Sequence, residues 1–263
     1  MGRFRSFARL LAQHFEHQGE LGGVGERELG RNAGAALSDG PGNVLIGRSA
    51  GAALTTGDYN IAIGYQALDS LTTDSHNNIA IGANALAGQT LQQNANINSI
   101  AIGRAALNAQ NHADAVNLGI GYHAGELITT GTKNTLLGHE AGAAIQDDDY
   151  NTAVGYNALK NATAGDGNTA FGSHALGLGV VTGSNNIAVG YGAGHDLTNG
   201  HSNVMVGRAA GANATTGKEN VIIGLDACGL GVLANASSTQ GMYNVVVGPG
   251  AGYDLTSGYS NIL

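Results

Sequence analysis

The chain has 263 residues, of which 44 are glycine and 2 are proline, and its formal net charge is −8 at pH 7. Glycine does not recur at every third position, which excludes collagen, and 43% hydrophobic residues are too many for a disordered linker. Only 5% of the residues are aromatic and none is tryptophan, so large core side chains are too scarce for a conventional globular enzyme. The acidic balance disfavours nucleic acid and anionic membranes as partners, and one cysteine cannot form an intrachain disulfide.

The first 25 residues predict a short amphipathic helix. Phe4, Phe7, Leu11 and Phe15 recur at helical spacing, and three glycines between residues 19 and 23 predict a hinge after them. A solitary helix cannot bury this apolar stripe. We therefore expect residues 1–25 to dock on another protein or on copies of themselves. A cap over the first repeat and a helix on a membrane surface are the alternatives.

No targeting signal or membrane span is recognisable in the sequence. Three arginines near the N-terminus imitate the basic start of a signal peptide, but polar residues 13–17 interrupt the apolar run that such a peptide needs. No stretch reaches the roughly 18 apolar residues of a spanning helix. We expect a protein made and assembled in a cytoplasm, without membrane insertion.

Residues 26–263 consist of a repeat of about 17 residues with small insertions. We number each unit from Asn60 and its equivalents as position 0, with the next residue at +1. Position +4 is glycine and position +7 is alanine in all thirteen complete units. The units begin at Glu26, Asn43, Asn60, Asn78, Ser99, Asn117, Asn134, Asn151, Asn168, Asn186, Asn203, Asn220, Asn244 and Asn261.

Positions +1 to +3 predict one short strand in every unit. They are mostly β-branched or apolar, and +3 is apolar in every complete unit. Glycine at +4 then predicts a turn, and glycine at +14 in several units predicts a second one. Stacked asparagines at position 0 predict a hydrogen-bonded ladder. Position +8 varies between glycine and leucine, with Cys228 once in place of an apolar residue.

The fold class that follows is all-β, a parallel β-solenoid or β-roll of about fourteen 17-residue coils. No unit has room for a helix of about ten residues, which excludes βαβ repeats. With roughly 4.8 Å per coil, the rod is expected to be about 65 Å long. Residues 26–263 form this domain, and residues 1–25 the docking helix and hinge.

Both faces of the expected strands are apolar. One face can be buried inside the coil, so the other needs a partner surface outside the coil to cover it. The simplest partner is another copy of the chain. With +1 and +3 inside the coil, the residues at +2 line the seam between copies; the reverse arrangement stays open. The seam candidates are Leu45, Ala62, Ala80, Ala101, Leu136, Ala153, Ala170, Ala188 and Met205.

Position +5 follows the glycine turn and is expected to be exposed. Its tyrosines and arginines form a candidate ridge that binds glycans or protein by stacking and hydrogen bonds. Stacking that only stiffens the rod is the alternative. The ridge candidates are Tyr65, Tyr122, Tyr156, Tyr191, Arg48, Arg104 and Arg208, and Arg31 occupies the same position in the first unit.

The sequence predicts no catalytic residue, cofactor or metal site. Hexapeptide acyltransferases need three Ile-Gly-x-x-Ala-x units per coil, whereas this chain has one per 17 residues, as in Ile63–Leu68. The nine histidines are scattered, mostly in expected turns. The acidic run at residues 147–149 is a possible cation ligand, but an exposed turn explains it better.

Two segments carry a family resemblance. Asn60–Gly64, Asn78–Gly82 and Ser99–Gly103 resemble the head repeats of trimeric autotransporter adhesins, which implies a left-handed, trimeric β-roll. Asn151–Leu159 looks more like repeats of bacteriophage tail fibres and related virion proteins. The chain shows neither the signal peptide nor the outer-membrane anchor that an autotransporter needs, so the resemblance favours a virion protein.

The expected function is therefore structural. The sequence indicates a homotrimeric tail fibre or fibre-like appendage, attached through its N-terminus to a baseplate, tail or capsid protein and projecting a rigid rod for host adhesion. A host-surface glycan or protein stays open as a further partner. A capsid-decorating head fibre and a bacterial surface adhesin are the alternatives, and a solenoid enzyme is disfavoured.

Overall fold

The computed structural model describes residues 27–70, 75–88, 98–112, 115–229, 241–255 and 258–263. The apolar stripe of Phe4, Phe7, Leu11 and Phe15 lies outside these ranges, so the N-terminal helix stays a prediction. The described residues contain thirteen strands and no helix, and each strand covers positions +1 to +3 of its repeat. The strands are β1 (Arg27–Leu29), β2 (Val44–Ile46), β3 (Ile61–Ile63), β4 (Ile79–Ile81), β5 (Ile100–Ile102), β6 (Leu118–Ile120), β7 (Thr135–Leu137), β8 (Thr152–Val154), β9 (Thr169–Phe171), β10 (Ile187–Val189), β11 (Val204–Val206), β12 (Val221–Ile223) and β13 (Val245–Val247).

All thirteen strands form one parallel sheet in chain order. Equivalent repeat positions pair with each other, as Val44 pairs with Ile61 and Ile46 with Ile63. Insertions that lengthen some repeats leave this register unchanged, as the pairing of Ile223 with Val247 across a 24-residue step illustrates. The prediction of a parallel β-solenoid built from 17-residue coils is confirmed.

Glycine at +4 is required by the close stacking of successive coils. Gly64 has a φ of 140°, and a Cβ built on it would lie 2.6 Å from the backbone carbonyl group of Gly82 in the next coil. The other twelve equivalents also have φ between 130° and 143°. A side chain at +4 would therefore separate the coils as well as strain the backbone.

The position-0 residues form the predicted ladder through the described chain. The backbone N–H of each rung donates to the side-chain oxygen of the preceding rung, for example from Asn60 to Asn43 Oδ1 at 2.9 Å and from Asn203 to Asn186 Oδ1 at 3.1 Å. The side-chain amide of Asn203 also donates to Asn186 Oδ1. These side chains are buried, and the ladder satisfies polar groups that would otherwise destabilise the rod.

One rung of this ladder is serine, and a second side chain completes it. Ser99 Oγ accepts the backbone N–H of Asn117 at 3.0 Å. Gln110, at +11 of the same coil and fully buried, donates to Ser99 Oγ at 3.0 Å and accepts from the Asn117 amide at 3.0 Å. Gln110 thus supplies the amide that Ser99 lacks, a role that the sequence pattern did not reveal.

The core is a narrow column inside the coils, filled from positions +2, +7, +8 and +11. Alanine at +7 is buried in twelve of the thirteen complete units and partly buried at Ala251. All five leucines at +8 accompany alanine at +2, whereas glycine at +8 accompanies the larger residues Leu45, Leu136, Met205 and Val246. Two units, with Gly119 and Gly125 or with Ala188 and Gly194, have small residues at both positions. A Cβ built on Gly51 would lie 2.9 Å from Leu45 Cδ2, so the side chains at +2 and +8 compete for one space. Cys228 is buried at +8, as its predicted apolar role requires.

Candidate functional site

The first candidate surface is a strip of mostly apolar side chains that stay partly exposed in the described part of the chain. In β2 to β6 the first and third residues are partly exposed and the central residue is buried. Exposure rises in later strands and reaches 56% at Phe171 and 55% at Val247. We call the +1 and +3 side chains from β2 to β13 the outer strip, with Val44, Ile61, Ile79, Ile100, Leu118, Thr135, Thr152, Thr169, Ile187, Val204, Val221 and Val245 at +1 and Ile46, Ile63, Ile81, Ile102, Ile120, Leu137, Val154, Phe171, Val189, Val206, Ile223 and Val247 at +3.

The structure corrects the placement of the nine seam candidates at +2. Their side chains have no solvent exposure within one chain, so they fill the coil interior and do not line a seam. In a three-residue strand the central side chain points away from the two that flank it, and here it points inward. The structure therefore has +2 inside the coil with +1 and +3 outside, the orientation that the sequence left open. The corrected residues are Leu45, Ala62, Ala80, Ala101, Leu136, Ala153, Ala170, Ala188 and Met205.

The second candidate surface is the row at +5, beside the outer strip. Its tyrosines are 40–62% exposed, and the backbone N–H of Gln66 donates to the Arg48 carbonyl, which keeps successive turns stacked one coil apart. The expected exposure is confirmed for Tyr65, Tyr122, Tyr156, Tyr191, Arg48, Arg104 and Arg208.

The middle of this row is a continuous ladder of aromatic rings. Tyr122 stacks on His139 with ring centroids 4.9 Å apart, and His139 stacks on Tyr156 at 5.2 Å. His174, at +6, continues the ladder edge-on between Tyr156 at 5.3 Å and Tyr191 at 6.1 Å. The rings thus contact one another, as the stiffening interpretation expects, while their outer edges remain exposed to a partner.

Ion pairs and polar contacts flank the rings. Arg104 Nη1 donates to Tyr122 Oη at 2.8 Å, and His123 Nδ1 contacts Glu126 Oε2. Lys160 Nζ lies 2.6 Å from Glu140 Oε2, and this hydrogen bond lowers the pKa of Glu140 below its usual range. The ladder therefore combines exposed edges of aromatic rings with positively and negatively charged side chains.

The acidic run at residues 147–149 is not the simple exposed turn that the sequence indicated. Asp147 is exposed, but Asp148 is 93% buried, because its Oδ1 accepts the backbone N–H of Gly165 in the next coil at 2.8 Å. Burial, followed by the charges of neighbouring aspartates, raises the pKa of Asp148. Asp149 Oδ1 similarly accepts from the Thr132 backbone at 2.6 Å. These carboxylates join coils.

Within the described residues, no group of three or more His, Cys, Asp or Glu side chains is placed to hold a metal ion. A shallow groove of about 340 Å³ lies at the start of β5 to β7 and is lined by Ile100, Val116, Leu118 and Lys133 among others. Residues at −1 and +1 form this groove, so it is an edge of the outer strip. Among the described residues no helix is long and apolar enough to cross a bilayer.

Comparison with known proteins identifies no relative. No protein-family model matches the chain, and no curated protein or solved structure matches it. The features of the molecule that bear on its function are therefore the outer strip, the row at +5 and the repeat itself.

Proposed function

We propose that the protein is a structural, non-enzymatic component of a bacteriophage virion, a homotrimeric tail fibre or fibre-like rod that projects its solenoid toward the host surface. The outer strip is the observation that supports this proposal best. It runs from β2 to β13, its +3 side chains are apolar in every one of these strands, and they stay partly or largely exposed among the residues that the structure describes.

The strip favours identical copies as its cover. Twelve strand spacings of roughly 4.8 Å make the sheet about 58 Å long, and exposed apolar surface of this extent is unusual on a soluble monomer. A second copy has the same rise per coil, so its side chains meet those of the first at every coil. Covering apolar surface contributes about 25 cal/mol per Å² before the entropic costs of association.

The number of copies and the biological setting follow from the sequence resemblance. Asn60–Gly64 and its equivalents resemble repeats of trimeric heads, and Asn151–Leu159 resembles repeats of phage tail fibres. A regular rod with a stacked core suits a spacer that carries a binding surface away from a particle. The stripe of Phe4, Phe7, Leu11 and Phe15 is the proposed attachment to a partner in the particle.

A matched pair of variants tests the assembly. Phe171→Asp places a charge in the middle of the outer strip, whereas Ser173→Asp places the same charge at +5 of the same coil. We expect Phe171→Asp to be monomeric by light scattering with an unchanged β-sheet circular dichroism spectrum, and Ser173→Asp to stay trimeric. A Phe171→Asp variant that stays trimeric would show that the strip is not the interface.

Mass spectrometry of purified phage particles separately tests whether the chain is a virion component. The proposal predicts peptides of this chain in particles of the parent phage, and loss of those peptides when residues 1–23 are deleted. Particles that contain none of the wild-type chain would overturn the virion role, whatever the oligomeric state of the purified protein.

A further inference from the structure

The row at +5 begins with two like charges in neighbouring coils. Arg31 and Arg48 are both exposed, and the Ser49 backbone N–H donates to the Arg31 carbonyl at 2.9 Å. The two arginines therefore lie one coil apart, a spacing of about 4.8 Å. Neither forms an ion pair with any residue in the part of the chain that the structure describes. Like charges at equivalent positions of neighbouring coils repel each other, and an anion that contacts both arginines would offset this repulsion.

The third coil adds an aromatic ring that positions one of these charges. Arg48 Cζ lies 4.5 Å from the centroid of the Tyr65 ring, and Arg104 Cζ lies over the Tyr122 ring at 5.5 Å in the same way. A cation–π contact holds a guanidinium group without neutralising it. Arg48 is therefore held in place without an ion-pair partner among the described residues, and its planar set of N–H donors suits an oxyanion.

The distribution of acidic residues sets this end of the rod apart. No acidic residue occurs at +5 in any unit. Residues 27–112 contain four Arg and five Asp or Glu, whereas residues 113–263 contain four Lys or Arg and eleven Asp or Glu. An approaching anion thus meets less negative charge here than elsewhere on the rod.

We propose that Arg31, Arg48 and Tyr65 form a binding site for an oxyanion group, a phosphate, sulfate or carboxylate, on an extended ligand that lies along the rod. The guanidinium groups bind the oxyanion through charge-assisted hydrogen bonds, and Tyr65 adds a hydroxyl group and a ring edge. All three residues belong to one chain and lie outside the outer strip. The inference therefore depends neither on the trimer nor on the virion role.

Titration calorimetry with three probes tests the site. Pyrophosphate, a heparin-derived hexasaccharide and hexaglutamate present phosphate, sulfate with carboxylate, and carboxylate alone, so the probe that binds identifies the oxyanion. We expect the wild-type protein to bind at least one of them, more weakly at higher salt. The double variant Arg31→Gln/Arg48→Gln should lose about tenfold or more in affinity, because hydrogen bonds to charged groups are stronger than those between neutral groups.

Arg208 provides the matched control. It occupies +5 in a later coil, but its Nη2 lies 3.2 Å from Asp226 Oδ2, so Arg208→Gln should leave probe affinity unchanged. Tyr65→Leu should weaken binding several-fold by releasing Arg48. Failure of all three probes to bind the wild-type protein would overturn the proposal. An equal loss in Arg208→Gln and in the double variant would also overturn it, because binding would then follow net charge alone.

Discussion

Exchanging the side chains at +2 and +8 of one coil tests whether they share one space. A Cβ built on Gly142 would lie 2.7 Å from Leu136 Cδ2 and 2.9 Å from Ile145 Cδ1. In the next coil the same two positions hold Ala153 and Leu159, both fully buried. Leu159 has a φ of 53° and Gly142 a φ of 58°, so the backbone of this turn accepts leucine. The double variant Leu136→Ala/Gly142→Leu therefore copies a pair that the chain already uses.

The magnitudes follow from what each single change does to the core. Leu136→Ala leaves a cavity and should lower the free energy of unfolding by about 2–5 kcal/mol. Gly142→Leu forces a side chain into occupied space and should lower it by about 1–3 kcal/mol. The first change removes Leu136 Cδ2, one of the two side-chain atoms that the second would meet, while Ile145 Cδ1 stays in place. We therefore expect the double variant to lose about 1–3 kcal/mol less than the two single losses combined, without recovering the full stability of the wild type.

Urea denaturation followed by circular dichroism, at one protein concentration for all variants, measures this coupling. The control is Leu136→Ala combined with Gly211→Leu. Gly211 is four coils away and contacts Met205 instead, so these losses should add. Losses that add within about 0.3–0.5 kcal/mol for Leu136 and Gly142 as well would refute the shared space.

Three further predictions follow from single buried groups. Gln110→Ala removes the amide that completes the rung at Ser99 and should lower the free energy of unfolding by about 1–3 kcal/mol, measured by urea denaturation; no loss would show that water replaces the amide. Burial raises the pKa of Asp148 above 3.8 in the folded protein, so the charged carboxylate should destabilise the fold. This destabilisation should be absent at low pH and should grow as pH rises from the pKa of the unfolded chain to the raised pKa of the folded one. The melting temperature of Asp148→Gly relative to that of the wild type should therefore rise as pH increases. A difference in melting temperature that does not depend on pH would contradict this account. Burial also raises the pKa of Cys228 to about 11, so iodoacetamide should alkylate it in urea but not in the native protein at pH 8, as mass spectrometry would reveal.

The strands and the ladder were predictable because they depend on local residue type repeated in register. A β-branched triplet followed by glycine indicates a short strand and a turn at every unit, and asparagine repeated at position 0 places donors and acceptors directly above one another in stacked coils. The exposed row at +5 followed from the same frame, because the chain turns outward after the glycine at +4. These features need no knowledge of distant contacts.

Which face of each strand points into the coil was not predictable from the three strand residues alone. With apolar residues on both faces, periodicity does not tell which face lies inside the coil. The space inside the coil decides it, since one side chain per strand fits beside those at +7, +8 and +11. Recognising that Leu136 excludes a side chain at Gly142 requires knowing that +2 and +8 touch. The same holds for Gln110 and Ser99, whose contact joins two sides of one coil.

The mass of the assembly in solution tests the central claim most directly. The outer strip, from Val44 in β2 to Val247 in β13, is partly or largely exposed in the described part of one chain, and the proposed function requires copies of the chain to cover it. Native mass spectrometry of the full-length protein at micromolar concentration should give three times the 26.3 kDa mass of a single chain. A stable, folded species at the mass of one chain would contradict the account.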